Sequence, residues 1–416
     1  MRSLSANVWV LTLTSFLTDI SSEMLVWLIP LFLSNVIGAR TAAIGLIEGT
    51  AETVASLLKV VSGWLSDLLG RRKSLAVAGY AISTLAKPCL LLVSSWPGVL
   101  AVRVGDRLGK GIRTAPRDAL LADSSPDAWR GLAFGVHRAG DTAGAFLGVL
   151  IALLVVWSGQ GKSNRLSSGV FRTLVIGSVI PAVLAVISLA SLAREVPPTR
   201  ASRRVRSADS NEARPEKVRT ADPAGLTHLS RRFRVFLAIM IVFTLGNSAD
   251  AFLVLRAQQL GLPVLGVLGM VMSFNLVYSL LSGPAGAFSD RIGRRRVLIA
   301  GWVVYTLIYL GFARATAGWQ AWTLMTLYGA YFACSDGVAK AFVADLVPSS
   351  LRGTAYGVFH TAIGLAALPA SLIAGILWDG IGPWSGWGPA APFYFGAALA
   401  AIASLLLAFA LPARSP

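Results

Sequence analysis

The stretch GWLSDLLGRRK at residues 63–73 has a second copy, GAFSDRIGRRR, at residues 286–296, which begins 223 positions further along the chain. A second pair of similar segments, ALLADSSPDAWRGLAFG at 119–135 and AFVADLVPSSLRGTAYG at 341–357, lies 222 positions apart. Two separate matches at nearly the same offset indicate an internal duplication. The chain is therefore predicted to contain two related halves.

The segments around these copies are long, apolar and almost free of charge. Of the 416 residues, 55% are hydrophobic and 14% are charged, whereas a soluble globular chain carries about 25% charged residues. Runs such as 170–190, 297–312 and 393–411 approach the length of about 20 residues with which a helix crosses a bilayer. Because backbone polar groups in lipid must be satisfied within a helix or a closed barrel, runs of this length predict membrane-spanning helices.

We therefore predict an all-α membrane protein with twelve transmembrane helices, six in each half. The spans of the first half are predicted at 7–36, 42–66, 73–94, 97–121, 130–157 and 168–193. Those of the second half are predicted at 233–259, 263–288, 297–314, 318–344, 352–378 and 389–411. The chain then divides into an N-terminal bundle at 1–193, a polar linker at 194–232 and a C-terminal bundle at 233–416.

The net charge of +17 comes mostly from basic residues in short loops between the apolar runs. Alternate counting of the loops places most of these residues on the same side as the linker, which is the positive-inside pattern of membrane proteins. The pattern predicts a multi-pass protein of the plasma membrane whose linker and both termini are cytosolic. Its partners are then the lipid bilayer and a small-molecule substrate, and not a nucleic acid.

The motif Gly-x-x-x-Asp-x-x-Gly-Arg, found between spans 2 and 3 and again between spans 8 and 9, resembles the signature loop of the major facilitator superfamily. Arg107 matches the arginine that this family carries on span 4. The resemblance covers nearly the whole chain in span count, linker and repeat. It implies two pseudo-symmetric six-helix bundles that rock about a central site, as in a monomeric secondary transporter that needs no cofactor beyond a proton gradient.

Polar residues that occur in both halves near the cytosolic ends of the spans predict a gate. We expect them to form ion pairs that close the cytosolic side when the pore faces outward, although they would also be explained if they only set the topology. The predicted gating residues are Gly63, Asp67, Gly70, Arg71, Asp123, Arg130, Asp290, Gly293, Arg294, Asp345 and Arg352.

Ionisable residues at membrane depth lie mostly in the first half and are not duplicated. A charge at this depth costs several kcal/mol unless it is paired or hydrated, so each one predicts a function. Arg103, Arg107 and Lys110 share one face of span 4, where they either bind an anionic substrate or neutralise the acidic residues of spans 1, 4 and 5. The predicted substrate-binding residues are Arg103, Arg107, Lys110, Asp141, Asn247 and Tyr328.

Four acidic residues are predicted to couple transport to protons. Asp19 and Glu23 lie one helical turn apart on span 1, and two carboxylates held this close can share a proton. Glu23 would alternatively pair with an arginine of span 4. Asp141 is the third candidate, and Asp250 is the candidate of the second half because it lies in a polar patch of span 7.

These features predict proton-coupled export of a small organic solute by alternating access. The exchange or uptake of an organic anion is an alternative, which Arg107 and Lys110 suggest. A non-transporting membrane receptor or a lipid-handling protein is an alternative of another class. No nucleotide-binding loop, metal-ligand cluster or Ser-His-Asp set is evident in the sequence, so an enzyme is not expected.

Overall fold

The computed structural model describes residues 4–125, 130–196, 230–347 and 352–411 of the chain. Within these ranges the backbone is almost entirely helical, and the helices correspond to the twelve predicted spans, which we number α1–α12. The largest difference from the predicted ends is at α8, which continues to Ile292 where the sequence predicted residue 288.

The six helices of the first half are α1 (Ala6–Val26, Ile29–Phe32 and Leu33–Ile37), α2 (Thr41–Leu69), α3 (Arg72–Ala86 and Lys87–Leu91), α4 (Trp96–Asp123), α5 (Arg130–Gln160) and α6 (Ser168–Leu192). The six helices of the second half are α7 (Arg231–Gly246 and Ala251–Gln259), α8 (Val264–Ile292), α9 (Arg294–Arg314), α10 (Gly318–Leu346), α11 (Arg352–Asp379) and α12 (Ala391–Ala410).

Nine of these helices, among the described residues, are long and apolar enough to cross a bilayer by length and composition alone. The three that fall short are α2, α4 and α10. Charged residues lower the hydropathy of α2 and α4, and α10 is rich in Gly, Thr, Trp and Tyr. All three contribute polar side chains to the space between the two halves, which explains why they are less apolar than helices that face lipid.

The two halves use the same helix pairs. In the first half α1 packs on α5 and α6, and α4 packs on α2 and α3. In the second half α7 packs on α11 and α12, and α10 packs on α8 and α9. The halves meet where α2 packs on α11 and where α5 packs on α8. This pattern confirms the predicted fold of two pseudo-symmetric six-helix bundles, whereas the predicted limits of the linker stay a prediction because residues 197–229 lie outside the described residues.

The turns after α2 and α8 lie at one end of the bundle, which we call the linker end, and the turn after α11 lies at the opposite end. At the opposite end, hydrogen bonds join the two halves directly. The backbone N–H of Thr41 donates to the Asp379 carboxylate at 2.6 Å, and the Arg40 guanidinium donates to the Asp379 carbonyl at 2.7 Å. The Gln258 amide donates to the Asn164 carbonyl at 2.6 Å. The halves are therefore held together at the opposite end.

The seam between α2 and α11 is made of small residues, which let two helices approach closely. A Cβ atom added to Gly375 would lie 2.6 Å from the Thr41 carbonyl oxygen and 2.8 Å from the Ala42 nitrogen. Further along the same seam, the Thr53 hydroxyl donates to the Gly364 carbonyl at 2.5 Å. Backbone contacts of this kind make the two helices a tightly packed pair.

Candidate functional site

Two helices are interrupted at equivalent points of the repeat. In α1 the helix is broken at Trp27 and Leu28, where Pro30 lacks the N–H that would continue the hydrogen-bond ladder. In α7 the helix is open between Gly246 and Ala251, and an offset of 222 places Leu28 at Asp250. Discontinuous helices in transporters lie at the substrate site. Residues of both breaks line the same cavity between the halves.

This space, which we call the central cavity, has a volume of about 590 Å³ and is lined by charged side chains. Its charged residues from the first half are Asp19, Glu23, Glu48, Glu52, Lys87, Arg103, Asp106, Arg107, Lys110 and Arg113. From the second half come Asp250 and Asp336, together with polar residues such as Asn247 and Ser248. The structure thus brings most of the predicted deep charges to one site.

A second space of about 1150 Å³, the side cavity, lies between α5, α8 and α10. It shares Asp19, Glu23 and Asp336 with the central cavity and continues to Arg294 and Lys340 towards the linker end. The two cavities therefore lead from the broken helices towards the end of the molecule that carries the signature loops.

Arg103 is neutralised by an acidic residue that the sequence did not predict as its partner. Its guanidinium is 4% exposed and contacts the Glu48 carboxylate of α2 at 2.5 Å. The expected partners were acidic residues of α1, α4 and α5, and this expectation is wrong because Glu48 projects from α2 into the cavity instead of into water at the membrane surface. A predicted substrate-binding residue is thus engaged in an ion pair within its own half.

Arg107 and Lys110 differ from Arg103 because neither makes a hydrogen bond or an ion pair within 4 Å to any described residue. Both line the central cavity, and the Arg107 Nε atom is buried without a partner. Acidic groups such as Glu52 and Asp106 interact with Arg107 only at longer range. Both cations are therefore available to a solute.

The basic residues nearer the C-terminal end of α4 contact neighbouring helices. Arg113 lies over the Tyr80 ring at 4.4 Å from its centroid, which is a cation–π arrangement. Arg117 donates to the Ser15 hydroxyl at 3.0 Å and to Asp118 at 2.9 Å. One helix face therefore combines side chains that line the cavity with side chains that hold neighbouring helices.

The two carboxylates of α1 lie where the cavities meet, since Asp19 and Glu23 line both of them. Glu23 accepts a hydrogen bond of 2.8 Å from the indole N–H of Trp27 at the helix break, and it makes no ion pair with α4 within the described residues. Arg107 and Lys110 of α4 interact with Glu23 only at longer range, so the alternative in which an arginine of α4 pairs with Glu23 stays a prediction. Lys87, which is buried nearby, donates to the hydroxyls of Ser21 and Ser22 at 2.5 and 3.2 Å.

Asp141 lines the side cavity and not the central one. One of its oxygens lies 3.6 Å from His137 Nδ1, and the other is buried without a hydrogen-bond partner. Asp141 also interacts electrostatically with Asp19, as does Glu23. The three carboxylates predicted to couple protons in the first half thus form one electrostatic group, and Asp141 lies on the side nearer to α8 and α10.

Asp250 begins the second segment of α7 and lines the central cavity. Its carboxylate accepts a hydrogen bond of 3.0 Å from the Tyr328 hydroxyl. Tyr328 itself is fully buried among aromatic side chains and lines neither cavity, and its contact with a substrate stays a prediction. Its physical role is to hold Asp250. Asn247 lines the central cavity as predicted, with its side-chain oxygen 3.3 Å from the Tyr305 hydroxyl.

Among the described side chains, the ion pairs of the signature loops lie within one half each. Arg72 pairs with Asp123 and donates to the Ala119 carbonyl. The offset of 222 carries these three residues onto a second set, in which Arg294 donates to Asp345 at 2.7 Å and to the Ala341 carbonyl at 2.6 Å.

Arg72, and not the predicted Arg71, therefore makes the contacts that Arg294 makes in the second half, and the gating role of Arg71 stays a prediction. The turn between α2 and α3 holds one residue more than the turn between α8 and α9, so Arg71 is exposed and Arg72 takes the position of Arg294. Gly70 and Gly293 make these turns with φ of 62° and 96°, which glycine adopts without strain.

The structure describes the side-chain surroundings of only some of the remaining predicted gating residues. A Cβ atom added to Gly63 would lie 3.4 Å from the Ala115 Cβ atom, which agrees with a close approach of α2 and α4. The side chains of Asp67, Arg130, Asp290 and Arg352 lie outside the described residues. Their gating role stays a prediction.

Sequence reasoning missed three features of the site. It did not identify Glu48 as the partner of Arg103. It also did not identify the hydrogen bonds from Lys87 to two serine hydroxyls, or the contact through which Asp379 joins the two halves. The available signal for the first was the spacing of Glu48 and Glu52, which places both on one face of α2. No spacing in the sequence indicates the contact between Thr41 and Asp379, because the two residues are 338 positions apart.

Comparison with known proteins agrees with this architecture. The sequence model of the Major Facilitator Superfamily matches residues 11–275 and 235–416. An uncharacterised MFS-type transporter of Methanocaldococcus jannaschii is 36% identical, over 98% of this chain and 96% of its own. Multidrug resistance protein MdtG of Serratia proteamaculans is 25% identical, over 82% of this chain and 78% of its own. The crystal structure of a D-xylose-proton symporter has a TM-score of 0.71 and 15% identity, over 97% of each chain.

Proposed function

Since the chain belongs to the major facilitator superfamily, we propose that it is a proton-coupled secondary transporter that exports a small organic solute by alternating access. The observation that carries the proposal is the position of Asp19 and Glu23. Glu23 accepts a hydrogen bond from Trp27 at the break in α1, and Asp19 lies one turn before Glu23. Both carboxylates face both cavities, so a proton and a solute would meet the same pair of groups. Acidic residues at membrane depth are the usual sites of proton relay.

The proposal of export has weaker support than the proposal of coupling. It rests on the similarity to a relative that is named as a multidrug resistance protein, and on cavities that lead from the central site to the linker end. Under the predicted topology the linker end faces the cytosol, so the structure would have the form that accepts a solute from inside. We place the protein in the plasma membrane as a monomer with both termini cytosolic.

A second candidate function is the exchange or uptake of an organic anion. It is favoured by the unpaired Arg107 and Lys110 on the wall of the central cavity. In this case the two cations, and not the carboxylates of α1, would decide which solutes are moved. A receptor or lipid-handling role would leave the charged central cavity without a transported solute, and it is the least supported of the candidates.

A flux assay in proteoliposomes tests the coupling. The protein would be reconstituted with a protease-cleavable tag in the 194–232 linker to report its orientation, and solute panels would be tested with and without a pH gradient. We expect Asp19→Asn and Glu23→Gln to lose most uphill transport, by about tenfold or more, and to keep solute exchange. Asp118→Asn, which lies outside both cavities, serves as the control.

Three results would contradict parts of the proposal. Uphill transport that persists unchanged in both variants would remove the coupling role of Asp19 and Glu23. Absence of movement for every solute of a broad panel would count against transport itself, and a linker tag that is cleaved only from outside would reverse the topology.

A further inference from the structure

The charges of the central cavity are arranged differently on its two walls. Of the described residues that line it, the second half contributes the acidic Asp250 and Asp336 and no Lys, Arg or His. All basic groups of the cavity come from the first half, on α3 and α4. A solute that touches both halves therefore meets free cations on one side only.

On the first-half wall, most cations are already engaged. Arg103 is paired with Glu48, Lys87 is bound by serine hydroxyls, and Arg113 lies over Tyr80. Arg107 and Lys110 remain without a hydrogen-bond partner among the described residues, and together they offer a guanidinium fork and an ammonium group. Such a pair suits a carboxylate or a phosphate, because planar bidentate recognition is a property of guanidinium.

On the second-half wall, one of the two carboxylates has a cationic partner and the other has none among the described residues. Asp336 lies 2.9 Å from Lys340, a residue that does not line the central cavity, so its charge is already compensated. Asp250 receives only a neutral hydroxyl donor, Tyr328, on one of its oxygens. The nearest additional charges that act on it are the carboxylates of Glu48 and Glu52 across the cavity, which have the same sign. Asp250 is thus a carboxylate that lacks a cation.

A charged group inside the membrane is costly unless a partner of opposite charge compensates it. An anion bound at Arg107 and Lys110 would leave Asp250 uncompensated, and a cation bound at Asp250 would leave the two basic groups with only the longer-range charges of acidic residues such as Glu52 and Asp106. A solute that carries both charges satisfies both walls at once. It would also contact both helical bundles at the two breaks, which is where alternating access requires the halves to respond to one bound molecule.

We propose that the substrate is a small zwitterionic solute, whose anionic group is bound by Arg107 and Lys110 of the first half and whose cationic group is bound by Asp250 of the second half. This inference rests on the proposed transport function and adds the substrate class to it. It assigns Asp250, which the sequence placed among the proton-coupling residues, to substrate recognition.

Binding of matched probes to the purified full-length protein, without any gradient, tests this assignment. The probes are 5-aminopentanoate, N-acetyl-5-aminopentanoate and 5-aminopentanamide, which have similar size and are zwitterionic, anionic and cationic, with β-alanine and 6-aminohexanoate to vary the charge separation. We expect at least one zwitterion to bind about tenfold more tightly than both of its singly charged analogues, as judged by ligand-dependent thermal stabilisation.

Variants then assign each charge to its wall. In Asp250→Asn, the zwitterion is expected to bind no more tightly than the anion. In the double variant Arg107→Gln/Lys110→Gln, the zwitterion is expected to bind no more tightly than the cation. Asp336→Asn is the matched control, because it removes a carboxylate of the same wall that already has a cationic partner, and it should keep the original ranking.

Three outcomes would overturn the inference: equal binding of the zwitterion and a singly charged analogue by the wild-type protein, no binding by any probe of the series, or an unchanged ranking in Asp250→Asn. The wild-type ranking does not depend on whether the variants fold. Because these measurements need no gradient, loss of proton coupling in the flux assay would refute the proposed mechanism and leave the substrate class intact.

Discussion

Arg103 and Arg107 lie one helical turn apart on α4 and have different electrostatic partners. Arg103 is buried against Glu48, whereas Arg107 faces the cavity with no partner among the described residues. The difference comes from α2, because the carboxylate of Glu48 reaches Arg103 and that of Glu52 does not come within 4 Å of Arg107. Neighbouring arginines of one helix face therefore serve different purposes, one structural and one available to a ligand.

Removal of the Glu48 charge is expected to destabilise the protein. Glu48→Gln leaves the Arg103 guanidinium buried without its counter-charge, and breaking a buried ion pair in this way costs roughly 3 to 5 kcal/mol. We expect the lower part of this range because Glu48 borders the cavity, where water reaches it. Thermal unfolding in detergent measures the effect.

Glu52→Gln is the matched control for this experiment. Glu52 lies one turn further along the same wall of the central cavity and makes no ion pair within the described residues. Its substitution should change the unfolding temperature less than that of Glu48. An equal or larger effect would mean that the Arg103–Glu48 pair contributes little to stability.

Among the helices, α2 and α11 form a seam in which glycine allows backbone contact. Thr41 and Ala42 at the start of α2 touch the backbone at Gly375, and Thr53 bonds to Gly364 about three turns further along. The other contact between the halves, α5 with α8, has the side cavity beside it. The two seams are thus unequal although the halves are pseudo-symmetric, and α2–α11 is the tightly packed one.

Gly375→Ala is expected to weaken this seam. The added Cβ would approach the backbone of Thr41 and Ala42 at 2.5 to 2.8 Å, and backbone atoms cannot move aside as the end of a flexible side chain can. Overpacking of this kind costs about 1 to 3 kcal/mol, which would lower the thermal unfolding temperature.

Gly169→Ala provides the comparison for the glycine experiment. Gly169 lies in the first turn of α6, and an added Cβ there meets no atom within 4 Å. Alanine in an open helical position should be neutral or slightly stabilising. If both variants lower the unfolding temperature equally, close packing at Gly375 is not the cause.

At the scale of the whole molecule, the two ends differ in the contacts that the halves make with each other. At the opposite end, Asp379, Asn164 and their partners join the halves by direct hydrogen bonds. At the linker end, the described ion pairs of the signature loops stay within one half each, as Arg294 with Asp345 shows. A transporter that alternates must break the first set of contacts to open that end, so the hydrogen bonds of Asp379 bias the equilibrium between conformations.

Asp379→Ala should therefore shift the population towards a form that is open at the opposite end. A hydrogen bond to a charged group is worth about 1.5 to 3 kcal/mol, so the population ratio should change by about tenfold or more. Spin labels at positions 162 and 259, exposed on different halves, would report the distance after Cys89→Ala and Cys334→Ala. Arg314→Ala, an exposed cation at the same end, should leave the distances unchanged, and an unchanged distribution in Asp379→Ala would refute its role.

The architecture could be predicted from the sequence alone because its causes are local or repeated. Apolar runs of about 20 residues require helices in a bilayer whatever lies beside them, and the duplicated signature loops show that the halves are related. The comparisons confirm the resulting fold and family. The sequence also located the deep charges, because ionisable residues are rare in apolar runs and each one is visible.

The partners of those charges were decided only by the tertiary structure. Helical spacing shows which side chains share a face, but it contains no information on which helix lies opposite. The carboxylate that reaches Arg103 comes from α2, the hydroxyl that holds Asp250 comes from α10, and Asp379 bridges to Thr41 over 338 positions. Hydrogen bonds and close ion pairs form only when the two groups are within about 3 to 4 Å, so the arrangement of the helices determines which residues are paired and which are left to meet a solute.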